Sequence, residues 1–214
     1  MKKSFILLFC LISTVILSQK KALKKIETLA NDINIYTAGL DNIILENSNT
    51  DFVEVYLYAE SYDEQLILIE NKPKELDIKF HFEGTETREI IFRKFITKRL
   101  QRATAIVKVP KNKKLFIFGE TIDIESENIK NELAIYIENG IVKLNTLNAN
   151  TTLQLYSGNV YAEVNNAKIN FTSNKGKINI DNVLHKKSFK NNKINFDKEL
   201  TISTITANIF LTNQ

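Results

Sequence analysis

Apolar and polar residues alternate along most of the chain, in short stretches separated by turn-forming residues. The stretch 103–109 (ATAIVKV) alternates, is rich in β-branched residues and is ended by Pro110, which has no N–H for a strand ladder. A period of two is typical of strands with one buried face, and no helical period continues for long. The pattern predicts an all-β protein, with one short helix over Lys20–Leu29. For Ile90–Leu100 a strand and an amphipathic helix both remain open.

Three glycines in the C-terminal half, Gly140, Gly158 and Gly176, are spaced 18 residues apart. An apolar residue lies five positions before each glycine, and others lie two and four positions after it. These residues are Ile135, Leu153 and Phe171; Val142, Val160 and Ile178; and Leu144, Ala162 and Ile180. The constant phase predicts an internal repeat of short strands with structural glycines at its turns. Asparagine replaces glycine in the later turns, at 191–192 and 206–208, as expected of terminal units that cap an array.

Two architectures fit this repeat. In a β-meander or sandwich, each glycine turn closes an antiparallel hairpin, and Asn139-Gly140 has the composition of such a turn. In a β-solenoid, each unit is one coil and equivalent residues of successive coils stack. A meander does not require a constant phase, whereas a solenoid does, so the solenoid is favoured.

The N-terminus has the layout of a secretory signal peptide. Lys2 and Lys3 precede an apolar run from Phe5 to Leu17, and polarity rises after Ser18. The run is shorter than the roughly 20 residues that a membrane-spanning helix needs. Cleavage after Ser18 is expected, which leaves an exported chain located in the periplasm, on the outer-membrane surface or in the medium, with no transmembrane span.

Composition narrows the chemistry further. Cys10 is the single cysteine of 214 residues and belongs to the expected signal peptide, so no disulfide, catalytic thiol or thiolate metal site is expected. Cleavage removes two lysines and no acidic residue, which lowers the net charge from +4 to +2. An exported, nearly neutral protein is not expected to bind nucleic acid. His81 and His185 are too few for a metal site, and no phosphate-binding or dinucleotide-binding motif is present, so neither cofactor nor metal is expected.

The organisation of the motifs resembles one known family. The strand Val107-Lys108-Val109-Pro110-Lys111-Asn112 leads into units that carry Asn139-Gly140-Ile141-Val142 and Ser157-Gly158-Asn159-Val160. This order is similar to that of the bacterial "putative adhesin" (head GIN-like, or adhesin-domain) family, common in Bacteroidota. The resemblance covers roughly residues 103–214 and, more loosely, 30–102. It implies an exported, right-handed single-stranded β-helix without established enzymatic activity. The loss of glycine from the last units and the basic stretch 88–102 depart from the family pattern.

We therefore expect three parts: a cleaved signal peptide (1–18), a β-rich N-terminal part of the domain that is less regular (19–102), and the repeat coils of the β-solenoid (103–214). The leading hypothesis is a non-enzymatic, adhesin-like or envelope-associated binding or scaffold protein. Its partner would be a glycan or an envelope protein, and its oligomeric state is left open.

Two groups of residues are candidates for a binding surface. A basic stretch could face anionic headgroups or acidic glycans and is formed by Arg88, Arg93, Lys94, Lys98, Arg99 and Arg102. Tyr136 and Tyr156 lie at similar positions in successive units, and outward aromatic rings there could bind glycans or a partner protein.

The alternative function is a β-helical carbohydrate-active enzyme of the polysaccharide-lyase type. Asp123, Glu125 and Glu127 alternate with apolar or small residues and would project from one strand face about 7 Å apart. Such carboxylates could serve as an acid/base pair or bind calcium. No calcium-loop motif accompanies them, and an ordinary solvated strand face accounts for the same pattern. We therefore expect no enzymatic activity.

Overall fold

The computed structural model describes residues 21–59, 66–82, 103–191 and 196–213, which form 17 β-strands and no α-helix. The strands of the first half are β1 (Lys21–Glu27), β2 (Asp32–Tyr36), β3 (Asn42–Asn47), β4 (Phe52–Tyr58), β5 (Ile67–Asn71), β6 (Glu75–Phe80) and β7 (Thr104–Val109). Those of the second half are β8 (Lys114–Thr121), β9 (Asp123–Glu127), β10 (Glu132–Asn145), β11 (Thr151–Val164), β12 (Lys168–Ser173), β13 (Ile178–Ile180), β14 (Val183–His185), β15 (Ser188–Lys190), β16 (Glu199–Thr204) and β17 (Asn208–Asn213).

The all-β prediction is confirmed. The helix predicted over Lys20–Leu29 is wrong, because Lys21–Glu27 is strand β1 and pairs with β4 along its whole length. Tertiary pairing here outweighs the local preference of a lysine-rich segment for a helix. The expected signal peptide (1–18) and the stretch 83–102, with the open assignment of Ile90–Leu100, lie outside the described residues.

The strands form one sheet in which two series of neighbours can be followed. The first series is β5, β6, β2, β8, the first half of β10, the first half of β11, β16, β12 and β15. The second series is β1, β4, β7, β3, β9, the second half of β10, the second half of β11, β17, β13 and β14. We call a strand of the first series together with its counterpart in the second series a "layer". The paired layers are β6 with β7, β2 with β3, β8 with β9, β16 with β17, and β12 with β13. Strands β10 and β11 are long enough to belong to both series, so each forms a layer by itself.

Neighbouring layers pair in parallel and in register. Strands β10 and β11 pair at an offset of 18 residues, which places Gly140 beside Gly158. Both strands continue through their glycine, so the antiparallel hairpin considered at Asn139-Gly140 is not formed. The structural reason for glycine is a close approach between layers. Gly140 and Gly158 have φ angles of 149° and 120°, and a Cβ on Gly158 would overlap the carbonyl oxygen of Gly140.

The order of the layers in space differs from their order in the chain at both ends. Layer β2–β3 lies between β6–β7 and β8–β9. Layer β16–β17 lies between β11 and β12–β13. The expectation that the Gly176 unit stacks directly on the Gly158 unit is therefore wrong. Ala207 occupies the intervening layer, and a Cβ on Gly176 would overlap the carbonyl oxygen of Ala207.

Antiparallel strands cover both ends of the parallel layers. At one end β1 and β4 continue the second series and β5 continues the first. At the other end β14 pairs with β13, and β15 pairs with β12. The β13–β14 hairpin turns at Asp181 and Asn182, whose φ angles of 48° and 66° match the left-handed conformation that a two-residue hairpin turn requires.

The core is built from inward rows of apolar side chains, one residue per layer. One row lies in the first series and consists of Ile78, Ile35, Ile117, Ile135, Leu153, Ile202 and Phe171. Every member of this row is buried. Since the pairing is in register, the period of two in the sequence becomes a continuous apolar column. The nine apolar residues that share the 18-residue phase are all buried in this way.

Candidate binding surface

The same register that builds the core also builds outward rows on the surface. Tyr36 of β2 pairs with Phe118 of β8, and Phe118 pairs with Tyr136 of β10. We call these three residues the aromatic row. The ring centroids of Tyr36 and Phe118 are 5.3 Å apart with an interplanar angle of 21°, and those of Phe118 and Tyr136 are 5.6 Å apart at 12°. The rings are stacked and half-buried, so they present a rigid aromatic strip to solvent.

Polar side chains bound the aromatic row at each end. On one side Lys79 holds its Nζ 5.5 Å from the Tyr36 ring centroid and pairs with Glu70 Oε1 at 3.0 Å. On the other side Gln154 of β11 is in register with Tyr136 and is exposed. Flat apolar rings bounded by hydrogen-bonding groups are suited to a ligand that has both apolar faces and polar edges.

A shallow groove of about 290 Å³ lies beside the aromatic row, on the same strands. Ala134 forms part of its floor, because its small side chain lies in register between Phe116 and Thr152. Lys114 and Glu132 line one edge, where Lys114 Nζ and Glu132 Oε2 are 3.1 Å apart. The hydrogen bond to Glu132 raises the pKa of Lys114 above its usual value.

The second series carries a separate aromatic pair. Tyr161 and Phe210 stack with centroids 5.0 Å apart, and Tyr161 is 43% exposed. Lys143 of β10 and Asn179 of β13 flank them in the same row, so this pair is shorter than the aromatic row.

Two of the three carboxylates singled out from the sequence, Asp123 and Glu125, accept hydrogen bonds within the sheet. Asp123, Glu125 and Glu127 lie on one face of β9, as the alternation predicts. Asp123 accepts a hydrogen bond of 2.8 Å from the backbone N–H of Ile141, and Glu125 accepts one of 3.0 Å from Asn145 Nδ2.

A second groove, of about 360 Å³, is lined by Asp123, Glu125 and Asp41. The Asp41 carboxylate accepts a hydrogen bond of 2.8 Å from the backbone N–H of Ala103. Within the described part of the chain, no group of three or more His, Cys, Asp or Glu residues is arranged to hold a metal ion. These contacts give Asp41, Asp123 and Glu125 a role in holding layers and loops together.

The remaining candidates from the sequence are dispersed. Tyr156 is 60% exposed but lies two positions beyond the residue that pairs with Tyr136, so the two tyrosines are in different rows. His81 is exposed and follows the end of β6. The ring centroids of His185 and Phe189 are 4.7 Å apart in an edge-to-face arrangement. Arg88, Arg93, Lys94, Lys98, Arg99 and Arg102 lie outside the described residues, between β6 and β7. Among the residues that are described, no helix is long and apolar enough to cross a membrane.

Tyr36 and Phe118 were not recognised as site residues from the sequence. Both occupy outward positions of alternating strands, which is visible in the sequence. Their proximity depends on layer β2–β3 lying directly against β8–β9, although β4, β5, β6 and β7 separate them in the chain. No local pattern carries that information.

Comparison with known proteins gives structural matches only. No protein-family model and no curated protein match the sequence. A solved structure from Clostridium sporogenes, described as a "putative cell adhesion protein", matches with a TM-score of 0.59 at 15% identity, over 91% of this chain and 99% of that one. This match shows a shared fold.

Two further solved structures have lower TM-scores. A "putative adhesin" from Bacteroides fragilis has a TM-score of 0.33 at 11% identity, with 91% of this chain and 98% of that one covered. Another "putative adhesin", from Parabacteroides distasonis, has a TM-score of 0.29 at 11% identity, with 92% and 98% covered. At TM-scores below 0.5 these two do not establish a common fold. The chain is thus an all-β protein that shares its fold with a bacterial protein named for cell adhesion.

Proposed function

We propose that the chain is an exported, non-enzymatic, adhesin-like protein of the cell envelope that binds glycans on the face of the aromatic row. The observation that carries this proposal is the in-register stack of Tyr36, Phe118 and Tyr136 beside a polar-edged groove. Export is supported by the signal-peptide layout of residues 1–18. The fold match to a protein named for cell adhesion supports the binding role.

The architecture that best accounts for the layers is a right-handed, single-stranded β-helix in which each layer is one coil. The support is the parallel, in-register pairing of neighbouring layers, which has an 18-residue offset between β8–β9, β10 and β11. Under this proposal residues 103–214 supply the regular coils and residues 19–102 supply the first coils and their cap. Such a fold exposes long flat faces, which suit an extended ligand better than a closed pocket does.

The chemistry of the face favours a sugar over a purely apolar ligand. A pyranose ring has an apolar face of C–H groups and a rim of hydroxyls, so it can stack on an aromatic ring while its rim donates and accepts hydrogen bonds. The rings of the aromatic row stack on one another, so they supply an apolar contact surface through the parts of the rings that face outward. Lys114, Glu132 and Thr152 supply donors and acceptors along the groove.

The proposal is tested by a glycan array with the mature chain, followed by titration calorimetry on the best ligand. Tyr136→Ala is expected to weaken binding about tenfold, which corresponds to about 1.4 kcal/mol, because one ring of the stacking surface is lost. Tyr156→Ala is the matched control, since Tyr156 is exposed but outside the aromatic row. Equal affinity of the Tyr136→Ala protein and the wild type would overturn the assignment of the site. A glycan array without any retained ligand would overturn the glycan itself.

A further inference from the structure

The end of the layers formed by β14 and β15 exposes two large apolar side chains. Val183 is 58% exposed and Leu184 is 65% exposed. Val183 pairs with Ile180 and Leu184 with Asn179, so Val183 continues an inward row and Leu184 an outward row of the second series. Among the described strands none pairs with β14 on its outer side. We call residues 183–190 the terminal layer.

Five lysines lie in the terminal layer or next to it in the chain. Lys186, Lys187 and Lys190 belong to the terminal layer, and Lys175 and Lys177 lie in the connection of the layer beneath it. All five are exposed, and none forms an ion pair with any described carboxylate. Within the described part of the chain, no ion pair therefore neutralises the positive charge at this end.

Acidic residues are scarce at this end. Asp181 is the one acidic residue between positions 174 and 191. Its carboxylate accepts a hydrogen bond of 2.9 Å from the backbone N–H of Asn213 and another from the Asn213 side chain. The hydrogen bonds hold the pKa of Asp181 below its ordinary value. Asp181 is thus fixed at the hairpin turn and faces the neighbouring strand β17.

The opposite end of the layers has a different charge pattern. Lys25 pairs with Glu54 at 2.8 Å, and Lys79 pairs with Glu70 at 3.0 Å. Positive and negative side chains are therefore interspersed there. If two copies packed terminal layer against terminal layer, the six lysines of these layers and the four of the adjoining connections would be brought together. Charge complementarity favours an anionic partner over a second copy.

We propose that the terminal layer binds an anionic lipid surface, with Val183 and Leu184 entering the headgroup region and the five lysines contacting lipid phosphates. Exposed aliphatic side chains bordered by lysines are the combination by which peripheral segments bind the membrane interface. Contact at this end leaves the aromatic row, which lies on a lateral face, free for its own ligand. The two surfaces are independent, so either proposal can fail without the other.

The test is vesicle co-sedimentation of the mature chain. Vesicles of phosphatidylglycerol mixed with phosphatidylcholine are expected to bind it, and vesicles of phosphatidylcholine alone are not. Neutralising two lysines, in Lys186→Gln/Lys190→Gln, is expected to weaken binding about 25-fold, at about fivefold for each lysine. Lys111→Gln/Lys130→Gln removes the same charge from exposed positions elsewhere and is expected to bind like the wild type. Thermal unfolding of both variants verifies that they are folded.

A second variant separates lipid insertion from general attraction to polyanions. Leu184→Asn keeps every lysine, and it is expected to weaken vesicle binding while leaving any binding to heparin unchanged. High salt, which shortens the screening length from about 10 Å at 0.1 M to about 3 Å at 1 M, is expected to reduce the vesicle binding. The proposal is overturned by equal binding to neutral vesicles, by wild-type binding of Lys186→Gln/Lys190→Gln, or by equal binding of Leu184→Asn. A dimer in light scattering that Leu184→Asn dissociates would also overturn it, in favour of a second copy.

Discussion

Among single residues, the glycines between layers are the most constrained. Gly158 has a φ of 120°, and its Cα faces the backbone of Gly140 in the next layer. A methyl group there meets a carbonyl oxygen that belongs to a paired strand and cannot move alone. We expect Gly158→Ala to lower the free energy of unfolding by about 1–3 kcal/mol, from backbone strain and steric overlap together. Chemical denaturation at neutral pH measures this loss.

Ser157→Ala is the control for this glycine variant. Ser157 is the preceding residue on β11, and its hydroxyl makes one exposed hydrogen bond of 3.0 Å to Asn139 Oδ1. Its loss is expected to cost less than about 1 kcal/mol. If Gly158→Ala were as stable as Ser157→Ala, the layers would not be in contact at this position.

How much a residue's role could be read from the sequence depended on whether that role is local. The burial of Ile135, Val142 and Leu144 follows from alternation and is correct. The reason for glycine at position 158 could not be read, because a hairpin turn and a close contact between layers both favour glycine. Tyr136 could be identified as an outward aromatic residue, whereas its stacking on Phe118 depends on the pairing of β8 with β10.

The alternation of apolar and polar residues predicts well where strands occur and roughly where they begin and end. It predicts poorly which strands pair with each other. The strand predicted over 103–109 corresponds to β7, and Pro110 follows its end. In contrast, the segment at Lys21–Glu27 looks helical in isolation but pairs with β4. Which strand lies beside which is decided by the burial of inward rows across the whole molecule, and the local sequence does not contain that information.

One polar cluster shows how strands of different layers are held together. Asp77 of β6 is buried on the face that it shares with Asn34 of β2. Its carboxylate accepts a hydrogen bond of 2.8 Å from Asn34 Nδ2, and Lys72 Nζ lies 2.9 Å from its Oδ2. Burial by itself would raise the pKa of Asp77, but the hydrogen bonds from Lys72 and Asn34 outweigh it and hold the pKa below its ordinary value of 3.8.

This pKa predicts the direction of a pH effect on stability. Since the folded protein holds Asp77 ionised more strongly than the unfolded chain does, its contribution is fully present above pH values near 3.8 and is lost as the pH falls through the lower folded pKa. We expect Asp77→Asn to be less stable than the wild type at neutral pH, with the difference shrinking under acid. Urea denaturation across the acidic range measures it. Asp51→Asn, at an exposed loop position, is the control; a constant difference between Asp77→Asn and wild type at all pH values would contradict the prediction.

At the scale of the whole molecule, the order of the layers in space differs from their order in the chain. The C-terminal layer β16–β17 lies inside, with β11 on one side and β12–β13 on the other. Its inward side chains Leu200, Ile202 and Ile209 are buried. A simple sequential array would have its last strands at an exposed end, and the sequence phase alone suggests that arrangement. Folding must therefore close the layer β16–β17 between strands that have been made earlier in the chain, which requires contacts distant in sequence.

This order predicts how the protein responds to truncation. Deleting residues 199–214 removes an internal layer, exposes the pairing edges of β11 and β12, and leaves the terminal layer without support. We expect the shortened protein to lose cooperative unfolding throughout its C-terminal part and to aggregate through the freed edges.

Deleting β1 is the control, because β1 pairs only with β4 at the periphery of the described sheet. This deletion is expected to lower stability while preserving one cooperative transition. Circular dichroism and native-state hydrogen exchange distinguish the two outcomes: amides of β10 and β11 should lose protection in the first variant and keep it in the second. Equal protection in both variants would mean that β16–β17 is dispensable and that the layers stack without it.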